Sequence, residues 1–232
     1  MELLYKGKAK SVYQQEGENL VIEFRNDLTA GDGAKLATME GKGALNAEIS
    51  ARFFELLEEK GIETHFLRFE RPNRHIAKRV SIIPLEVICR NTAAGSLVKR
   101  YPFKEGQELD PPIVEFGYKS DEYHDPMLND DVAIALGAAR DRRELDEIRE
   151  ITIKINDILR EFLVERGIIL VDFKLEFGRD SKGNLLLADE VSPDTCRFWD
   201  AETKEVMDKD RFRRDMGSVL EYYREVRKRV CD

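Results

Sequence analysis

An α+β architecture is what this 232-residue sequence predicts. Strand-like and helix-like segments alternate without the regular beat of a doubly wound sheet. The first third is dominated by strand patterns, and three long stretches carry apolar residues at helical spacing. With 42% hydrophobic residues the chain can fill one large core or two closely packed lobes.

The elements follow in order. Residues Leu3 to Tyr13 and Leu20 to Phe24 read as a hairpin about the Gly-containing turn Gln14 to Asn19. From Ala44 to Lys60, Leu45, Ile49, Phe53, Leu56 and Leu57 form a helical stripe, and Gly61 stands where a left-handed C-cap is needed. Glu48, Arg52, Glu55 and Glu59 occupy the other face. Thr64 to Phe69 and His75 to Val80 read as a strand pair about Arg71-Pro72-Asn73. Pro84 interrupts the chain before the strand Leu85 to Arg90, which places a lobe boundary there: residues 1–84 mainly β, residues 85–232 α+β. From Asp141 to Arg166, Leu145, Ile148, Thr152, Ile155, Leu159 and Phe162 make one buried stripe, ended by Gly167. The hairpin Ile168 to Val191 follows, then a helix from about Asp210 with Phe212, Met216, Val219, Tyr223 and Val226 inward.

Composition narrows the functions. A net charge of −8 argues against nucleic acid as the main partner, because backbone binding needs a basic face. No stretch approaches the roughly 18 to 20 apolar residues that span a bilayer. The N-terminus enters a strand pattern at once, without a basic and then apolar leader. Cys89, Cys196 and Cys231 form neither a CxxC pair nor a cluster with His65, His75 or His124. A cytoplasmic, reducing location with no membrane partner is the expectation. The 36% of charged residues and only Gln14, Gln15 and Gln107 as glutamines resemble thermophile compositions.

Chemistry concentrates in the strand from Ile168 to Phe177. Alternation assigns Val171, Phe173, Leu175 and Phe177 to one face and Asp172, Lys174 and Glu176 to the other. The apolar entry Ile168-Ile169-Leu170-Val171 predicts an interior strand whose charges face a cleft, although a solvated outer face fits the same alternation. An odd-sum antiparallel register would set Asp189 of the return strand opposite Lys174 or Glu176. Two adjacent carboxylates repel unless a cation or proton is shared between them. Mg²⁺ with phosphate oxygens resolves the repulsion; a glycosidase pair is the alternative, which Lys174 disfavours.

Five other segments come into consideration. Arg90 to Ser96 joins an arginine and a hydroxyl to small residues, with Gly95 free to adopt an unusual dihedral, a pattern for anion binding or for an ordinary turn. Lys6, Lys8 and Lys10, in the run Tyr5-Lys6-Gly7-Lys8-Ala9-Lys10, alternate on one side of a Gly-containing hairpin, either as a flap over a triphosphate or as protection for an edge strand. Beyond the return strand, Ser192-Pro193-Asp194 either places Arg197 to reach the same anion as Arg90 or is an ordinary turn with no ligand. Asp27 to Gly33 has two glycines about Asp32, as a mobile active-site loop would. His124-Asp125-Pro126 fits a catalytic segment or simply a turn, and the turn is the better reading.

Together these motifs resemble the SAICAR synthetase family over nearly the whole chain. The most specific stretches are Ile82-Ile83-Pro84-Leu85-Glu86-Val87-Ile88-Cys89-Arg90 through Ala94-Gly95-Ser96, and Leu170-Val171-Asp172-Phe173-Lys174-Leu175-Glu176-Phe177-Gly178. Gly7-Lys8-Ala9-Lys10, Ser192-Pro193-Asp194 with Arg197, and Met207-Asp208-Lys209-Asp210-Arg211-Phe212 support it. The resemblance implies a two-lobed fold related to ATP-grasp with ATP between the lobes. It also implies ligation of L-aspartate to carboxyaminoimidazole ribonucleotide (CAIR) with release of ADP and phosphate, in a homodimer. By motif, Glu176 and Asp189 would hold Mg²⁺ on the ATP phosphates. Lys8, Ala9 and Lys10 would close over those phosphates, and Lys78, Val80 and Ile82 would lie near the adenine. Arg90, Ser96 and Arg197 would grip the ribose phosphate of CAIR, Lys174 and Asp172 would orient its imidazole and carboxylate, and Asp32 and Asp194 would lie near the reacting groups. The metal and phosphate pattern alone leaves open another ATP-dependent kinase or carboxylate-amine ligase, or a nucleotide sensor without turnover.

Overall fold

The computed structural model describes residues 1–232 apart from Glu16, Glu18 and Asp32. The chain opens with β1 (Glu2–Lys6), β2 (Lys10–Gln14) and β3 (Asn19–Phe24), then a separate hairpin of β4 (Asp27–Ala30) and β5 (Lys35–Thr38), and α1 (Lys42–Glu59). After α1 come β6 (Phe66–Glu70) and β7 (Arg74–Lys78), completing an antiparallel sheet of order β1-β2-β3-β7-β6. The single strand expected over Leu3 to Tyr13 is therefore two. Gly7 N donates to Lys10 O (2.9 Å), and Arg25 secures the turn by donating to Gly7 O (2.8 Å) and Lys8 O (3.0 Å). The turn cancels the alternation, so Lys6, Lys8 and Lys10 do not share one side.

Helix α1 ends as its sequence requires: Gly61 has φ +80° and its N–H donates to Glu58 O (2.9 Å). It is enclosed more fully than one apolar stripe predicts, since Lys42, Asn46 and Ser50 are buried as well as Ile49, Phe53 and Leu57. Gly43 permits the approach to β3, because a Cβ there would stand 2.3 Å from Phe24 O.

The remaining elements are β8 (Ser81–Ile82), β9 (Leu85–Thr92), α2 (Ser96–Arg100), β10 (Glu108–Tyr118), β11 (Met127–Leu128), α3 (Asp130–Ala135), α4 (Arg142–Val164), β12 (Ile168–Arg179), β13 (Leu185–Ala188), β14 (Cys196–Asp200), α5 (Asp210–Arg213) and α6 (Val219–Cys231). A seven-stranded sheet runs β11-β10-β9-β12-β13, with β14 and β8 also paired to β12. Strand β12 is thus interior, as its apolar entry predicts. Its alternation has one fault: a bulge against β14 falls between Leu170 and Asp172, so Leu170 rather than Val171 joins the main core cluster with Phe173, Leu175 and Phe177.

All six stripe residues expected of α4 are buried, and Asp141 caps the helix by accepting from Glu144 N (3.0 Å). The final helix departs from expectation. Residues 214–218 break it into α5 and α6, with positive φ at Asp215, Gly217 and Ser218, and Met216 is 40% exposed instead of inward. Phe212, Val219 and Tyr223 close a smaller core with Leu28 of β4. No helix among the described residues is long and apolar enough to cross a membrane.

Candidate active site

Both sheets and the β4–β5 hairpin face one cavity of about 970 Å³. It is lined by every site residue expected from sequence except Asp32, which lies outside the described residues. Its floor is the polar face of β12.

At one end of that face, Lys174 Nζ lies 2.6 Å from Glu176 Oε1 and 3.1 Å from Asp189 Oδ2. The odd-sum register expected to set this geometry is not the one observed. Glu176 pairs with Ala188, an even sum that by itself would turn Asp189 toward the core. Strand β13 ends at Ala188, and Asp189 takes φ +62°, which swings its carboxylate back over the polar face. Lys10 bonds Asp189 directly and stands 2.8 Å from Glu190 Oε1, while Lys119 bonds Glu176. Burial opposes charge on Asp189, yet Lys10 and then Lys174 hold its carboxyl far below its usual range. Burial would likewise lower Lys174, but Glu176 and Asp189 outweigh it and raise its pKa well above normal. The centre thus interleaves three lysines with three carboxylates, and Lys174 and Asp189 are held in their charged forms.

At the other end, a row crosses three strands. Asp172 pairs with Arg90 of β9 on one side and Arg197 of β14 on the other. Its Oδ2 accepts from both guanidiniums, at 3.1 and 2.8 Å. Arg90 lies within β9, which runs on past the expected end at Arg90 to Thr92, and its buried side chain also donates to Glu115 Oε2 (2.6 Å) and Ser96 Oγ (3.0 Å). Arg197 reaches Asp210 Oδ2 (2.7 Å); Arg100 and Arg213 join Glu115 and Asp210. Four guanidiniums on three carboxylates leave one net positive charge, suited to an anion. Asp172 thus holds the two arginines, while Lys174 belongs to the other cluster.

Gly95 sits against this row with φ +57°, and a Cβ there would lie 2.4 Å from a terminal nitrogen of Arg197. Gly95→Ala is expected to displace Arg197 and to lower stability by about 1 kcal/mol or more from the left-handed backbone alone. Isothermal titration of a phosphorylated ribonucleotide should show at least tenfold weaker binding; unchanged affinity would separate Gly95 from the anion site.

Lys8 pairs with Asp121 (2.7 Å) at the rim, and Lys78 Nζ donates to Thr64 O (3.0 Å). Val80 packs where Gly178 has no side chain: a Cβ on Gly178 would meet Val80 Cγ2 at 2.6 Å. Ile82 pairs with Gly178, which ties the segment before Pro84 to the end of β12. Asp194 Oδ2 lies 2.6 Å from Lys42 Nζ, and Tyr223 donates to Asp194 Oδ1 (2.8 Å). His65 and His75 are core residues: burial lowers them to about 4 and about 3, and His75 Nε2 contacts Ala47 O (2.7 Å).

Sequence reasoning missed Lys119, Glu190, Lys42, Tyr223, Lys209 and Arg213. Lys42 did carry a signal: a lysine in the first turn of a helix opposes the dipole, a local cost that calls for a tertiary partner.

The SAICAR synthetase family model matches residues 3–230. The chain belongs to the SAICAR synthetase family. It is 58% identical over 227 residues to phosphoribosylaminoimidazole-succinocarboxamide synthase of Methanocaldococcus jannaschii, covering 98% of this chain and 93% of that one. A solved SAICAR synthetase (Type-2) in complex with ADP is 53% identical, covers 97% of this chain and 96% of its own, and superposes with a TM-score of 0.95. The phosphoribosylaminoimidazole-succinocarboxamide synthase of Ehrlichia chaffeensis is 41% identical, with 99% and 98% coverage and a TM-score of 0.96. The two-lobed α+β fold read from the sequence is thus the family's fold.

Proposed function

We propose that this chain is the ATP-dependent ligase that joins L-aspartate to the carboxylate of CAIR, releasing SAICAR, ADP and phosphate in purine biosynthesis. Family membership over residues 3–230 and the ADP complex of a 53%-identical relative support ATP use. The observation that carries the reading is the joining of an ionised lysine–carboxylate centre and an arginine anion site along one strand, β12, in one cavity.

The two-carboxylate set suits Mg²⁺ but not a closed protein cage. Mg²⁺ takes one or two carboxylates and completes its shell with phosphates and water, whereas no group of three or more ligating side chains occurs among the described residues. Glu176 and Asp189 are the residues that would hold it. Bound there, the ion would offset the charge of the triphosphate.

In this reading, residues 1–84 and 85–232 form the lobes, with adenine against the segment containing Lys78, Val80 and Ile82. Lys8 and Lys10, with the Ala9 backbone, cover the phosphates. Arg90, Ser96 and Arg197 take the ribose phosphate of CAIR, Asp172 keeps both arginines in register, and Lys174 faces the transferring phosphoryl group. The CAIR carboxylate attacks the γ-phosphorus and ADP leaves. The aspartate amine then attacks the acyl carbon, the C–N bond forms, the C–O bond to phosphate breaks, and the amine loses a proton. Asp32 and Asp194 belong near that second step.

Steady ADP release by the purified protein should need ATP, CAIR and L-aspartate together. Equal release with CAIR or aspartate omitted would replace this ligase with another phosphotransferase. Binding of ATP without turnover in the full mixture would make the chain a nucleotide sensor.

A further inference from the structure

Of two further cavity-lining cations, Lys209 has no role in the assignments above, and Arg213 enters them only through Asp210. Lys209 is half-buried, and its ammonium makes no hydrogen bond or salt bridge among the described residues. Arg213, one helical turn later, also lines the cavity and spends one terminal nitrogen on Asp210. Residues four apart on a helical turn share a side, so both cations present to the same space. Their backbone is fixed: Lys209 N donates to Pro193 O (3.1 Å), and Arg213 N donates to Lys209 O (3.1 Å). This ties the pair to the Ser192-Pro193-Asp194 turn.

The surroundings give the pair a direction. The charges that act on Lys209 are Asp194, Arg213, Lys42 and Glu190. Glu190 is the carboxylate that shares Lys10 with Asp189, so Lys209 borders the ionised centre. Thr29, Ala30, Gly31 and Gly33 of the β4–β5 hairpin line the same cavity. A half-buried ammonium with no counterion is costly unless a ligand supplies one, and Arg213 retains guanidinium donors for a planar carboxylate. Burial lowers the Lys209 pKa, with Arg213 and Lys42 adding to the effect and Asp194 opposing it; a bound carboxylate would reverse that shift.

We infer that Lys209 and Arg213 form the subsite for the carboxylates of the amino-acid substrate, a dicarboxylic α-amino acid, and hold its amine toward the ionised centre. This rests on the ligase reading above and adds the residues that select the amine donor. Anchoring both carboxylates would leave the amine as the free end, and would reject L-asparagine, whose amide cannot satisfy a second cation.

Lys209→Met and Arg213→Ala, with Lys209→Arg as the charge-preserving control, test the assignment in full-length protein with ATP, CAIR and L-aspartate. Each of the first two should raise the KM for L-aspartate at least tenfold, and in Lys209→Met the KM values for CAIR and ATP should stay within about twofold. Lys209→Arg should recover most of the loss. Succinate should compete with L-aspartate in the wild type and lose at least tenfold in inhibitory strength in Lys209→Met. A merely structural role would shift all three KM values or only kcat, and would overturn the subsite. So would an increase confined to the KM for CAIR, which would assign the cations to the other carboxylate. Should a variant fail to fold, the wild type still decides: inhibition by L-alanine as strong as by succinate would show that no second cation is read. If the wild type itself turns over without L-aspartate, the ligase reading fails; wild-type turnover with unchanged KM for L-aspartate in both variants removes the subsite alone.

Discussion

Asp189→Asn and Glu176→Gln should each lower kcat by roughly a hundredfold to a thousandfold, the scale on which one preorganised electrostatic group acts on a transition state. Both substitutions keep the shape and remove only the charge. In the folded chain that charge organises three ammoniums: Asp189 holds Lys10 and Lys174, and Glu176 holds Lys174 and Lys119. The loss of stability should be small by comparison. After Asp189→Asn, Lys10 keeps Glu190 at 2.8 Å and Lys174 keeps Glu176 at 2.6 Å, so neither ammonium is left buried alone. About 1 kcal/mol is the expected cost, the scale of one net hydrogen bond. Thermal melts beside ADP release under saturating substrates separate the two effects. Turnover within threefold of wild type in both variants would remove these carboxylates from the phosphate chemistry. A fall in melting temperature large enough to explain the lost activity would make the cluster structural.

That cluster also shows what a sequence can carry. The interior position of β12, its charged face and the meeting of Glu176 with Asp189 about Lys174 were legible, because strand alternation and an apolar entry are local properties. The route was not. The parity of a register belongs to two strands and their turn, and the positive φ of Asp189 that compensates for it is invisible in alternation. The same limit explains Lys6, Lys8 and Lys10, whose alternation ends at a turn held by Arg25, just beyond β3. It explains Met216 too: its spacing fits the stripe of the final helix, but positive φ at Asp215, Gly217 and Ser218 breaks that helix. Sequence motifs found Arg90, Ser96 and Arg197. The carboxylates that brace them, Glu115 and Asp210, come from other elements and from contacts that only the folded sheet creates.

Lys42→Met or Asp194→Asn should each destabilise the fold by about 3 to 5 kcal/mol, because either leaves its partner's charge buried without its counter-ion. Lys42 is 1% exposed, and among the described residues its ammonium has only Asp194 Oδ2 at 2.6 Å and Asp27 O at 2.9 Å. Asp194 is fixed from its other oxygen by Tyr223, so the trio joins α1, the Ser192-Pro193-Asp194 turn and α6. For a chain of this length such a loss corresponds to a drop in melting temperature of roughly 6 to 20 °C. The double variant should lose clearly less than the two single costs added together, since no unpaired charge remains; additivity within about 0.5 kcal/mol would mean that the pair does not interact energetically. Acid gives an independent reading. Burial opposes ionisation of Asp194, but Lys42 and then Lys209 hold its pKa well below the usual carboxylate value. The unfolded chain therefore binds this proton first as pH falls, and the contribution of Asp194 is complete above about pH 4 and is lost progressively below it. Asp194→Asn should consequently be less stable than the wild type at neutral pH and lose less stability on acidification. Parallel losses in the two proteins between pH 5 and pH 2 would mean that Asp194 is not the ionised partner of Lys42.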